Sequence, residues 1–248
     1  SFRLLSHGLE GVYVNRVYGR GLLPETMEDT KKQRFRWAFG SAQILKRYWR
    51  DLFISPPADR PWKLSWVQRL DYLMISLGWF NDVLVLGFTC FLIVTVISYP
   101  LHFVIPVRQI VASALILPVL SIFTGVTRVA WALRCTTGCS WREGFEAFGF
   151  MLALSWTAAL GFTAGLFNRR GVFLRTPKGS GTPTIMDALR SVLPETLIGL
   201  LLLTLIFPLL GTSMTFQTVL LAGLLVWHGA VYLLPLQNAL VAGSAGEA

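Results

Sequence analysis

The chain has 248 residues, 54% of them hydrophobic and only 14% charged, with a mean hydropathy of +0.57. That balance excludes an ordinary soluble domain and calls for a bilayer. The net charge of +9 suits anionic headgroups or a phosphorylated substrate. Nucleic acid is not an expected partner, because the basic residues accompany apolar anchors and no reader motif is present.

The first 70 residues hold 13 Lys+Arg against 6 Asp+Glu, so a basic, water-facing part comes first. A strand-like run over Gly11–Tyr18 and a turn at Gly21–Pro24 lead to Lys31-Lys32-Gln33-Arg34-Phe35-Arg36-Trp37-Ala38. On a helix, Gln33, Arg36 and Trp37 lie three and four residues apart and share one face. That face joins an amide, a fixed cation and a flat ring. Arg grips a diphosphate bidentately, and an indole lies against the C–H face of a sugar. The same pattern also describes an amphipathic helix with Trp37 in a core and its cations solvated. Glu28-Asp29, the only adjacent acidic pair, falls where carboxylates cap a helix and complement its dipole; a metal role is the alternative. Lys63–Phe80, with Trp62, Trp66, Tyr72 and Trp79, reads as an interfacial helix with an aromatic belt, and Asn81 and Asp82 cap the span that follows.

Beyond that point the apolar residues cluster. Residues 83–107, 109–127 and 196–246 carry no charge at all, and a spanning helix needs about 20 apolar residues. Spans are expected at 83–99, 109–128, 192–211 and 215–235, with Pro118 and Pro208 as tolerated kinks. Phe145–Phe167 is long and apolar enough for a fifth. Crossing there would put the cationic loop of Arg128, Arg134 and Arg142 opposite that of Arg169, Arg170, Arg175, Lys178 and Arg190. With four spans every basic cluster lies on the cytoplasmic side, so Trp141–Phe167 is read as a helix lying in the interface or bundled beneath the spans.

The loop after it runs Phe173-Leu174-Arg175-Thr176-Pro177-Lys178-Gly179. Pro177 restricts it, Gly179 and Gly181 permit hinging, and Lys178 offers a mobile charge either to a phosphate or to anionic lipid. Glu195, behind Pro194, opens the next span; the alternative is an intramembrane carboxylate facing a channel. Cys90 is expected as a small core residue, and Cys135 and Cys139 as reduced thiols. His7, His102 and His228 suggest no shared site.

The spacing Q-x-x-R-W at Gln33, Arg36 and Trp37 resembles the signature of processive family-2 glycosyltransferases, the group that contains cellulose synthase. Phe173-x-x-Thr176-x-Lys178 resembles the F-x-V-T-x-K gating loop of that family, with Arg175 in place of the Val. In family members a T-E-D base motif is followed by an L-S-F-R-L helix, a short strand and a Pro turn. This chain begins Ser1-Phe2-Arg3-Leu4-Leu5 and is therefore expected to continue a longer one whose base lies upstream of Ser1. The wording around Gly21–Pro24 and Lys31–Ala38 looks closest to bacterial β-glucan synthases.

The resemblance implies a mainly α-helical integral membrane protein of about four transmembrane helices plus interfacial helices, behind a remnant of an α/β GT-A domain. The expected divisions are 1–50 for that remnant, 51–82 for the interfacial helix, 83–128 for two spans, 129–191 for an interfacial helix and gating-type loop, and 192–248 for two spans and a tail. It further implies transfer of a sugar, glucose from UDP-glucose, to a growing β-glycan that is passed through the bacterial inner membrane. Gln33, Arg36 and Trp37 would bind substrate, and Phe173, Thr176 and Lys178 would close over the nucleotide. Mg²⁺ or Mn²⁺ would be held by residues outside this chain, which alone would be inactive; accessory subunits are left open. Trp79, Trp131, Trp156 and Trp227 would either stack on sugars along the path or anchor and pack. The rival readings are a non-catalytic membrane anchor or assembly subunit, and a transporter component.

Overall fold

Backbone N–H and C=O groups in hydrocarbon must be satisfied within their own segment, and helices do this. Helix dominates the residues that the structure describes, with no strand among them. The structure is a computed structural model. It describes residues 2–54 apart from 13, 15, 17, 20, 22, 23 and 25, together with 64–98, 107–168, 184–211 and 214–244.

In chain order the described helices are α1 (Phe2–Ser6), α2 (Met27–Phe53), α3 (Trp66–Gly78), α4 (Phe80–Ser98), α5 (Val107–Thr137), α6 (Trp141–Ala153), α7 (Ser155–Phe167), α8 (Ile185–Ser191), α9 (Leu193–Thr204), α10 (Phe207–Leu210) and α11 (Phe216–Ser244). The expected strand over Gly11–Tyr18 is absent from the described residues of that run. Val12, Val14 and Tyr18 are exposed there, and alternation without a partner ladder does not hold a strand.

Among the described residues, three helical stretches are long and apolar enough to cross a membrane: Trp66–Ser98, Leu193–Leu210 and Phe216–Leu240. A fourth arises if α6 and α7, bent by 44° at their junction, count as one broken span. The chain is thus a mainly helical membrane protein. Lys63–Phe80, expected as an interfacial entry helix, is helical from Trp66 and together with α4 makes an apolar stretch of 33 residues. The expected span at 109–128 falls within α5. Pro208 breaks helix regularity where its missing N–H and its ring meet the residue one turn earlier, so α9 stops at Thr204. Cys90 is exposed on α4, not in a core as expected, so in a span it faces lipid.

The chain forms two compact units. One combines Thr26–Glu28, Val85–Trp156 and Gly181–Ala248. Its core is built by Leu92 and Val96 of α4, Leu202 of α9, and Leu221, Leu224, Leu225 and Tyr232 of α11. Small residues bring α9 and α11 close: a Cβ on Gly199 would lie 3.0 Å from the Gly229 carbonyl oxygen. A buried polar knot ties α4 to α11. Thr89 donates its one proton to the Val85 carbonyl at 2.9 Å. Its oxygen also accepts from the Tyr232 hydroxyl at 3.4 Å and lies 3.3 Å from His228 Nδ1. Trp156 meets Tyr232 edge-on at 6.5 Å and packs on this core.

The other unit combines Ser1–Glu25, Asp29–Leu84 and Thr157–Ser180. It holds the Q-x-x-R-W helix.

Candidate functional site

The site starts from how α1, α2 and α3 are fixed. α1 ends in a Schellman turn: Gly8 at φ 78° donates to the Leu5 carbonyl at 3.0 Å, and Leu9 donates to that of Leu4 at 3.1 Å. Phe2 then stacks on Tyr48 of α2 at 4.2 Å and meets Tyr72 of α3 edge-on at 5.1 Å. With Leu52, Leu64 and Leu73 it makes a small core between those helices. α3 begins with a capping box: Ser65 accepts from the Gln68 backbone N–H at 3.2 Å, and the Gln68 side chain accepts from the Ser65 N–H at 2.9 Å.

Between the walls so held lies a cleft of about 730 Å³, on the roughly 300–1,000 Å³ scale of small-ligand sites. Arg36, Trp37, Gly40 and Ser41 line it from α2, and Gln68, Asp71, Tyr72 and Ser76 from α3, with Trp79 just beyond. Trp37 is 53% exposed, so its ring is presented and not spent on a core. Arg36 and Trp37 therefore come together as the spacing predicts. Gln33, one turn earlier, is half-buried and is not among the lining residues.

Arg34, the other arginine of the motif, does different work. Its guanidinium lies 4.5 Å from the Trp79 ring centroid, and its Nε is buried with no hydrogen-bond partner among the described residues. Burial holds its pKa below the usual arginine value, with Asp82 opposing that shift. The indole face replaces part of the lost hydration, and so Arg34 fixes one of the rings that line the cleft.

The opposite side of α2 is clamped to α7. Ala38 and Ala42 are buried against Ala158 and Phe162. A Cβ added at Gly161 would lie 2.6 Å from the Phe35 carbonyl oxygen. The last carbonyls of α7, which have no partner within their helix, are met from α2. Gln43 Nε2 donates to Gly165 O at 2.6 Å and to Asn168 O at 2.7 Å, and Lys46 Nζ donates to Leu166 O at 2.7 Å. A lysine at a helix C-terminus also complements its dipole.

Phe173, Thr176 and Lys178 lie outside the described residues. Glu28 and Asp29 sit in the first turn of α2, where Asp29 is buried and pairs with Lys32 at 3.5 Å. Among the described residues no three His, Cys, Asp or Glu side chains gather into a metal-ligand set. The resemblance places the ligands of the Mg²⁺ or Mn²⁺ outside this chain. Sequence reasoning missed the α3 wall, the Arg34–Trp79 contact and the Gln43/Lys46 clamp. Two signals for them exist in the chain: the helical period of Gln68, Asp71, Tyr72, Ile75 and Trp79, and the matched small-residue spacings Ala38-x-x-x-Ala42 and Gly161-x-x-x-Gly165. Compared with known protein families, with curated proteins and with solved structures, the chain finds no match in any of the three.

Proposed function

We propose that this chain is the C-terminal membrane part of a processive nucleotide-sugar glycosyltransferase of the bacterial inner membrane, following a GT-A domain and its catalytic base. The observation that carries the reading is the meeting of Arg36 and Trp37 of Q-x-x-R-W in one cleft with Tyr72 and Trp79. Rings with accessible faces suit the C–H faces of pyranoses, and a guanidinium supplies several directed donors to oxygen. The apolar stretches 66–98, 193–210 and 216–240 supply the membrane part that a secreted polymer requires.

On this reading glucose passes from UDP-glucose, with inversion, to the terminal hydroxyl of a β-glucan whose end rests on Trp37. Gln33 borders the site, while Phe173, Thr176 and Lys178 close over the nucleotide. The chain binds and orients; the proton is removed by the upstream base.

The test uses the full-length protein in membranes. Trp37→Ala is expected to lower polymer synthesis by about 1–3 kcal/mol of stabilisation, the scale of ring stacking on bases, while UDP binding persists. Equal loss of UDP binding, or unfolding of the variant, would assign Trp37 to packing and remove the reading's main support.

A further inference from the structure

The two walls of the cleft differ in charge. Along α3, Gln68, Asp71, Tyr72, Ile75 and Trp79 recur at three- and four-residue steps, so an amide, a carboxylate, a phenol and an indole share one face. Arg36 and Trp37 line the same cleft from α2. Asp71 is exposed and makes no hydrogen bond or ion pair among the described residues. Asp71 and Arg36 do not close on each other, so the α3 wall carries an open acceptor opposite a guanidinium. The indoles add flat apolar ground. A neutral, hydroxyl-rich ring with an apolar face matches all three features. A phosphate does not, because it would meet the Asp71 carboxylate as a like charge.

The geometry points to Asp71 as the specificity-determining residue of this cleft. It accepts hydroxyl hydrogen bonds from a neutral sugar chain held on Trp37 and turns away the diphosphate of a nucleotide sugar. The assignment rests on the glycosyltransferase reading and deepens it, giving Arg36 to the acceptor's hydroxyls and not to the donor's phosphates.

The experiment titrates full-length protein in detergent with β-linked glucotetraose and, separately, with pyrophosphate, following tryptophan fluorescence beside polymer synthesis. Because Asp71 is exposed, its variants should fold, which circular dichroism checks. Asp71→Ala is expected to weaken tetraose binding about tenfold or more, the scale of a lost hydrogen bond to a charged group. Asp71→Asn, which keeps an acceptor oxygen, should lose less. Pyrophosphate binding should tighten in both, and the acceptor KM should rise more than kcat falls. Wild-type tetraose affinity in Asp71→Ala, with affinity lost in Trp37→Ala, would overturn the role of Asp71 and leave the glycosyltransferase reading standing. A cleft that takes up a short-chain anionic lipid and no tetraose in the wild type would overturn both.

Discussion

A methyl group at Gly165 would lie 2.6 Å from the Phe39 carbonyl oxygen and 2.7 Å from the Ala42 Cβ. Both belong to a regular helix that cannot swing aside, so the backbones of α2 and α7 must move apart. Overpacking of this kind costs about 1–3 kcal/mol, against a gain of about 0.5–1 kcal/mol for Gly→Ala in a helix. The clash wins. Gly165→Ala should therefore lower stability by about 1–2 kcal/mol, the difference between those terms. Gly87→Ala, with nothing within 4 Å, should be neutral or slightly stabilising. Denaturant unfolding in detergent measures both, and equal behaviour of the two variants would show that the α2–α7 crossing yields freely. The same scale shows what a sequence discloses. Arg36 and Trp37 were legible because helix geometry alone puts them on one side. Asp71 was not, because its meaning depends on a wall of another helix. Cys90 misled because an apolar neighbourhood in sequence reads alike whether the side chain faces protein or lipid.

Elements are joined here by side chains placed at helix ends. Gln43 and Lys46 on α2 bind the carbonyls of Gly165, Leu166 and Asn168, so the end of α7 is held by a helix distant in sequence and not by a glycine cap of its own. α5 offers the contrast: Gly138, at φ 71°, closes it by donating to the Arg134 carbonyl at 2.9 Å. Removing the clamp should loosen only the last turn. Gln43→Ala/Lys46→Ala is expected to raise amide exchange over 163–168 while 155–160 stays protected. The stability cost should be about 1–2 kcal/mol, since these bonds are partly exposed and net hydrogen-bond contributions run about 0.5–1.5 kcal/mol each. Unchanged exchange at 163–168 would mean that packing of Ala38, Ala42 and Phe162 holds the end without them. Capping boxes and glycine caps are local and could be read from the chain. A cap supplied from another helix has no local signature.

For the whole molecule, topology turns on the course of α6 and α7. By length and composition they pass as one bent span, yet α7 packs its Ala158 and Phe162 on Ala38 and Ala42 of α2. That helix carries Lys31, Lys32, Arg34, Arg36, Lys46, Arg47 and Arg50. At about 2.5–3.5 kcal/mol for each Arg or Lys at a bilayer centre, α2 stays at the water side and α7 stays beside it. The loops flanking the pair are both cationic, with Arg128, Arg134 and Arg142 before it and Arg169, Arg170, Arg175, Lys178 and Arg190 after it. A crossing would leave one set outside. The 33 residues of Trp66–Ser98 exceed the roughly 20 that a span needs. The α3 end can thus line a water-facing cleft while α4 crosses. The expected topology puts residues 135–139 and 186 on one side. Cys135 and Cys139 in the native chain, and Met186→Cys in a background with Ser at the native cysteines, should react with an impermeant maleimide only in inside-out vesicles. Labelling of residue 186 in right-side-out vesicles, with Cys135 and Cys139 protected, would make α6 and α7 a broken span. It would also carry Phe173, Thr176 and Lys178 across the membrane from the nucleotide they are proposed to cover.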